Sequence, residues 1–139
     1  MSIAELTWTE ADQAAGFSLP APFFYDERVF RRERTAIFFK SWHLVVHVNE
    51  LRETGAFATY EIFDQSVIVL AGRDGVIRGF HNVCQHRGNR LVEARRGRTP
   101  AVTCGYHAWT YTLDGSLRGA PRTDCLAGFD RAAYGLRPV

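Results

Sequence analysis

Three cysteines and five histidines occur in this 139-residue chain, and four of these eight residues fall into two short runs, Cys84-Gln85-His86 and Cys104-Gly105-Tyr106-His107. Each run offers one thiolate and one imidazole from a single turn. Seventeen residues separate the runs, so a fold that uses all four groups at one centre must bring two distant loops side by side. No other feature limits the architecture as much. Two thiolates and two imidazoles suit a 2Fe-2S centre with two Cys on one iron and two His on the other. A Cys2His2 zinc tetrahedron uses the same residue types. Zinc fingers, however, pair Cys with Cys and His with His inside each element, whereas both runs here are mixed. A lone Cys-x-x-His is a weak signal; two mixed runs with Gly88 and Gly105 beside them are a far more specific one. Cys-x-x-His in the second run gives that loop one more residue than Cys-x-His to curl around the opposite side of a centre. Buried thiols and hydrogen-bonded histidines are the bland alternative.

The rest of the chain reads as one ordinary globular domain. Hydrophobic residues make up 46%, charged residues 23%, and the formal charge is +2, a balance typical of globular proteins. The apolar run Val67–Ala71 has strand length, far short of a membrane span. The amino terminus lacks the plan of a secretory signal, so the cytoplasm is the expected location. Residues 1–22, punctuated by Pro20 and Pro22, read as a lead-in arm. Asp26 suits the N-cap of a helix running to about Ser41, with Phe30, Ile37 and Phe38 on one side and Arg31, Arg32, Glu33 and Arg34 on a solvated face. After Trp42 the pattern becomes short strands, expected at 43–48, 56–63, 66–71, 76–80, 101–104, 108–113 and 116–118. Asp74-Gly75 and Asp114-Gly115 are turn signals between them. The fold class is therefore mainly β with an N-terminal helix: 1–41 as arm and helix, 42–139 as the domain carrying both runs.

Phe80–Leu91 (FHNVCQHRGNRL) resembles the first Rieske loop of the large (alpha) subunit of bacterial ring-hydroxylating, or Rieske non-haem iron, oxygenases. Cys104–Leu117 (CGYHAWTYTLDGSL) resembles the second, with Gly105 where that family usually has proline. The likeness extends upstream through Phe38–His43 to Val48 and downstream through Tyr134–Val139. It implies a Rieske-type 2Fe-2S domain of small antiparallel sheets with two cluster-binding loops. Cys84 and Cys104 would bind the buried iron, and His86 and His107 the outer one, facing the electron acceptor. The implied role is one-electron transfer from a ferredoxin or flavin reductase to a mononuclear non-haem iron in a catalytic domain, in a homo- or hetero-oligomer. That iron, held by two His and a carboxylate, belongs to a domain absent from these 139 residues. Electron transfer, and not oxygenation, is thus expected of this chain alone. Aromatic acids, polycyclic arenes and quaternary amines are all compatible substrates of the parent enzyme.

Respiratory-type Rieske proteins bridge an extra Cys from each loop; Asn89 and Tyr106 stand at those positions, so no bridge forms here. Trp109 stands where those proteins have a serine that donates to cluster sulfur. Without that donor the potential is expected near the low end of the Rieske range, about −150 mV. Trp109 and Tyr111 alternate after the second loop and read either as one residue shielding the cluster with the other packing beneath it, or simply as two aromatic strand residues in a core. Cys125 is left over as a plain thiol. His43 and His47 would share a strand face, but no carboxylate stands before them at the position the resemblance calls for and the family's iron-binding histidines are spaced one residue further apart, so with His81 they read as packing or surface residues. Arg87, Arg90, Arg95, Arg96 and Arg98 crowd between the loops as a solvated segment or a docking surface for an acidic redox partner. No nucleic-acid motif accompanies them, and neither nucleic acid nor membrane is an expected partner. A free-standing Rieske ferredoxin is the alternative reading, although such carriers usually lack the Phe38 to Trp42 lead-in. A non-redox zinc module is the second alternative.

Overall fold

The computed structural model describes residues 8–139, so the first seven residues of the expected arm lie outside it. The chain divides into two compact units, one ending at His43 and one spanning Leu44–Val139.

The first unit is helical, with three short helices where one was expected. Helix α1 (Glu10–Ala14) starts from a reciprocal cap in which Thr9 and Asp12 each satisfy the other's backbone N–H. Helix α2 (Pro22–Tyr25) carries proline in its first turn, where the missing N–H costs nothing. Helix α3 (Glu27–Ala36) begins as the sequence suggests, with the Asp26 carboxylate accepting the Arg28 N–H at 2.9 Å. It stops at Ala36, not near Ser41, and a 3-10 turn follows at Phe38–Lys40. The Ser41 hydroxyl bonds the Ile37 carbonyl at 2.7 Å and the Thr35 hydroxyl bonds that of Arg32 at 3.1 Å, side-chain bonds that compete with continued helix. The expected apolar side is also different: Val29 is the buried residue, whereas Ile37 remains 53% exposed.

The second unit is built on two antiparallel sheets, in keeping with the expected mainly β class. Strands β1 (Ala56–Ile62), β2 (Gln65–Ala71), β3 (Ile77–His81) and β4 (Arg96–Arg98) form the first, in the order β3-β2-β1-β4. Strands β5 (Val102–Thr103), β6 (Thr110–Tyr111) and β7 (Leu117–Gly119) form the second. Alternation along β2 buries Ile68 and Leu70 fully while Val67 and Val69 stay half-buried, as a period of two requires. One core draws on both sheets, joining Ile68, Leu70 and Phe80 to Val102, Tyr111 and Leu117, with Cys84 and Cys104 among them. The two Asp-Gly turns form as expected. Asp74 and Asp114 each accept the N–H two residues on, and Gly75 and Gly115 take φ of +77° and +88°, a region costly for any side chain.

Three expectations fail. Residues 43–48 form no strand; their β-favouring residues find no ladder partner, and a 3-10 turn at Val48–Leu51 begins on His47, whose Nδ1 accepts the Asn49 N–H at 3.2 Å. The strand expected over 108–113 shrinks to β6, because residues up to Trp109 belong to a turn and the pairing with β7 is irregular at Thr110/Tyr111. Strand β4 arises where a loop was expected. Its Gly97 makes room for the Phe57 ring, which a Cβ there would meet at 2.8 Å.

Candidate metal centre

Both Cys/His runs fold into the same turn. In the first, the Cys84 N–H donates to the Asn89 carbonyl at 2.8 Å and the Cys84 carbonyl accepts the Gly88 N–H at 3.0 Å. In the second, the Cys104 N–H donates to Trp109 at 2.8 Å and its carbonyl accepts the Ala108 N–H at 3.0 Å. Gly88 and Ala108 close the two turns with φ of +71° and +57°. The second loop is therefore not the longer one, contrary to the sequence expectation. What differs is the step at which histidine stands: His86 is third in its turn and His107 fourth.

These turns bring the four residues together with a consistent polarity. Cys84 and Cys104 are each only 2% exposed, whereas His86 is exposed and His107 half-buried. The imidazoles meet edge to face, with ring centroids 4.7 Å apart. Around the sulfurs lie hydrogen-bond donors that stabilise thiolate, the ligating form. The Tyr111 hydroxyl is 3.3 Å from Cys84 Sγ and accepts the Gln85 N–H at 3.0 Å. Burial, together with Cys84, pushes the Tyr111 phenol well above its ordinary value, so it keeps its proton. Burial acts to raise the Cys104 thiol, but the backbone N–H groups of Tyr106 and His107, with Cys84 and Asn89, outweigh it and leave the thiol below its usual value. Asn89 Nδ2 sits 3.8 Å from Cys104 Sγ, at one of the positions where respiratory-type proteins have a bridging cysteine. The imidazole of His107 is held below its ordinary value by burial first, and then by the charges of His86, Arg87 and Arg122. Neutral imidazole is the form that binds metal.

The donor set fits a 2Fe-2S cluster on a direct observation. His107 Nδ1 is buried without a hydrogen-bond partner, a costly condition for a polar atom unless something else satisfies it. Among the described residues, no three His, Cys, Asp or Glu side chains converge to hold a single metal ion. A zinc tetrahedron would need four donors on one point, whereas a two-iron cluster asks for only two at each iron.

Trp109 and Tyr111, expected to split shielding and packing between them, are both buried beside the candidate ligands. Trp109 stacks on His86 at 4.8 Å with only 13° between the planes, and meets Phe129 and Tyr134 edge-on. His86, His107, Trp109, Arg122, Phe129 and Tyr134 line an open cleft. The tyrosine hydroxyl is a polar contact to sulfur beyond the position of the missing serine. Its only sequence signal was the alternation after His107. Arg122 was also missed, because it lies outside the arginine-rich segment.

The arginine cluster itself is mostly spent within the frame. Arg90 pairs with Glu61 at 2.9 Å and Glu93 at 3.6 Å, Arg98 pairs with Glu53 at 2.6 Å, and Arg96 pairs with Glu50. Arg87 instead lies over the Tyr106 ring, 5.9 Å from its centroid. His43 serves a local role, its Nε2 lying 2.7 Å from the Phe38 carbonyl. Cys125 is an exposed free thiol.

Residues 41–130 match the family model described as the Rieske 2Fe-2S domain. The chain belongs to this family. The Rieske domain is 42% identical over 123 residues to the glycine betaine monooxygenase oxygenase subunit of Pseudomonas aeruginosa, covering 88% of this chain and 28% of that protein. It is 38% identical over 129 residues to the carnitine monooxygenase oxygenase subunit of Escherichia coli K12, covering 93% and 34%. The naphthalene 1,2-dioxygenase of Rhodococcus sp., solved with bound indole, superposes with a TM-score of 0.85 at 34% identity, covering 92% of this chain and 30% of that one. These relatives are oxygenase components, hence oxidoreductases, and the chain spans about a third of their length. No helix among the described residues is long and apolar enough to cross a membrane.

Proposed function

We propose that Cys84, His86, Cys104 and His107 hold a Rieske 2Fe-2S cluster, and that residues 42–139 pass single electrons to the mononuclear iron of an oxygenase alpha subunit. The reading rests above all on two identical turns presenting two buried sulfurs and two outward imidazoles, one with an orphaned Nδ1. When bound, the cluster supplies reversible one-electron chemistry. The chain's own residues do the rest. Asn89 and the backbone N–H groups of Tyr106 and His107 favour the thiolate of Cys104, and the Tyr111 hydroxyl lies 3.3 Å from Cys84 Sγ. Trp109 fixes the plane of His86 by stacking on it, and two closed turns on a sheet frame limit movement of the ligands.

Electrons enter from a ferredoxin or flavin reductase and leave at the histidine edge to a catalytic domain in an oligomeric assembly. Arg87 and Arg122 act on His107 electrostatically, and neither forms an ion pair with a described residue. They, and not Arg90, Arg96 and Arg98, offer free positive charge to an acidic redox partner. The names of the Pseudomonas and Escherichia relatives favour a quaternary ammonium compound as the substrate of the parent enzyme. Three unbridged cysteines suit a reducing cytoplasm.

The test is compositional. The purified chain should be red-brown and contain iron and acid-labile sulfide in equal amounts. Zinc without labile sulfide would overturn the assignment.

A further inference from the structure

We propose that Asn82 is a positioning residue that locks the first ligand loop, as the hub of a polar circuit that leaves this loop, crosses the β1–β2 hairpin and returns at Arg90. The inference rests on the cluster assignment above and adds a role for residues outside the four ligands.

Asn82 has no exposed surface, so each polar atom it carries must be satisfied or costs stability. All of them are. Nδ2 donates to the Val92 carbonyl at 2.7 Å and to Ser66 Oγ at 3.1 Å, and Oδ1 accepts the Val92 N–H at 3.0 Å. The Asn82 backbone N–H donates to the Ser66 carbonyl at 2.9 Å and its carbonyl accepts the Leu91 N–H at 3.3 Å. One side chain thus closes the neck of a loop that begins two residues before Cys84 and ends at Val92.

The circuit continues through the hairpin. Ser66 Oγ donates to one Glu61 oxygen at 2.7 Å, and the other oxygen accepts from Arg90 at 2.9 Å. Arg90 lies inside the same loop, four residues beyond His86. Ser66 and Glu61 face each other in the β1–β2 register, so one cross-strand pair links both ends. Such a network is worth more intact than its separate bonds suggest, and partners beyond the ligands commonly set ligand orientation. Among the described residues the second loop has no buried asparagine at its neck, only an exposed contact between the Thr103 and Thr110 hydroxyls at 3.1 Å. It sits directly between β5 and β6, whose pairing holds its ends, whereas the ends of the first loop meet in a single isolated bridge, Val83 to Arg90, outside any strand.

The experiment uses Ser66→Ala, which removes the central link and leaves Asn82 in place, with Asn82→Asp as a second variant. In the purified chain, amide exchange at Leu91 and Val92 should quicken roughly fivefold or more, as loss of one or two hydrogen bonds implies. The g-value spread of the reduced cluster should change, and Ser66→Thr should restore both readouts. Val69→Ala, which thins a separate apolar cluster, should lower Tm but leave the cluster spectrum unaltered. Native exchange and a native spectrum in Ser66→Ala would overturn the proposal, whether or not Asn82→Asp folds. Absence of iron and sulfide from the wild type would sink the cluster assignment alone, since the exchange measurement still tests the lock.

Discussion

Gly88 and Ala108 do the same work in two separate turns: each donates its N–H at 3.0 Å to the carbonyl of the cysteine four residues before it, and each does so at positive φ. Only one of them is glycine. An L-residue in this region costs about 1–2 kcal/mol, so Ala108→Gly should stabilise the fold by about 1 kcal/mol and Gly88→Ala should destabilise it by about the same. Nothing lies within 4 Å of a Cβ placed on Gly88, which leaves conformation as the only cost. Thermal unfolding of both variants checks the pair of signs.

Tyr111→Phe removes the hydroxyl beside Cys84 Sγ. A donor to sulfur favours the more negative, reduced cluster, so its loss should lower the potential by several tens of millivolts, at about 60 mV for each 1.4 kcal/mol. Protein-film voltammetry measures this directly. An unchanged or higher potential would show that the hydroxyl does not donate to the sulfur.

Charge at the histidine edge should matter where charge elsewhere does not. Arg122→Gln is expected to slow electron entry from an acidic ferredoxin by about tenfold at low salt and to flatten its ionic-strength dependence. Arg98→Gln, which breaks an exposed pair with Glu53, should change stability by less than about 1 kcal/mol and leave the transfer rate alone. Stopped-flow reduction at two salt concentrations separates them.

Acid should act through the aspartates that are held ionised. Hydrogen bonds from Arg28 lower Asp26 to about 2, and Arg78 holds the Asp74 carboxyl well below the carboxylate range. A carboxyl depressed in the folded state adds stability above its unfolded value near 3.8 and loses it as pH falls below that. Asp74→Asn should therefore be less stable than wild type at pH 6, with the gap narrowing as pH drops from about 4 toward 2. Urea unfolding across that range reads the convergence.

The sequence displayed what depends on residue identity and hid what depends on geometry across the chain. Cysteine and histidine advertise their chemistry wherever they stand, and β1 to β3 advertise themselves through alternation and an Asp-Gly turn. By contrast, Arg96-Gly97-Arg98 carries no apolar rhythm, so β4 was invisible until Phe57 and the partner strand were in place. Residues 43–48 have the composition of a strand but pair with no strand among the described residues. The contact between Tyr111 and Cys84 spans 27 residues, which no local pattern reveals. Even the common turn of the two ligand loops was masked, because the histidine steps differ while the backbone does not.

The carboxyl-terminal residues lie along the outer edge of β3, where the His81 N–H bonds the Arg137 carbonyl at 2.9 Å, the Val139 N–H bonds that of Gly79 at 3.3 Å, and Phe80 bridges Pro138. At the opposite edge, β4 carries arginines engaged by Glu50 and Glu53. An uncovered strand edge is a template on which another chain can polymerise, and proline or charge at the rim is what discourages it. This sheet is sealed on one side and electrostatically guarded on the other. A chain cut back to Leu136 should thus begin to self-associate through β3 before its ligand loops lose their shape.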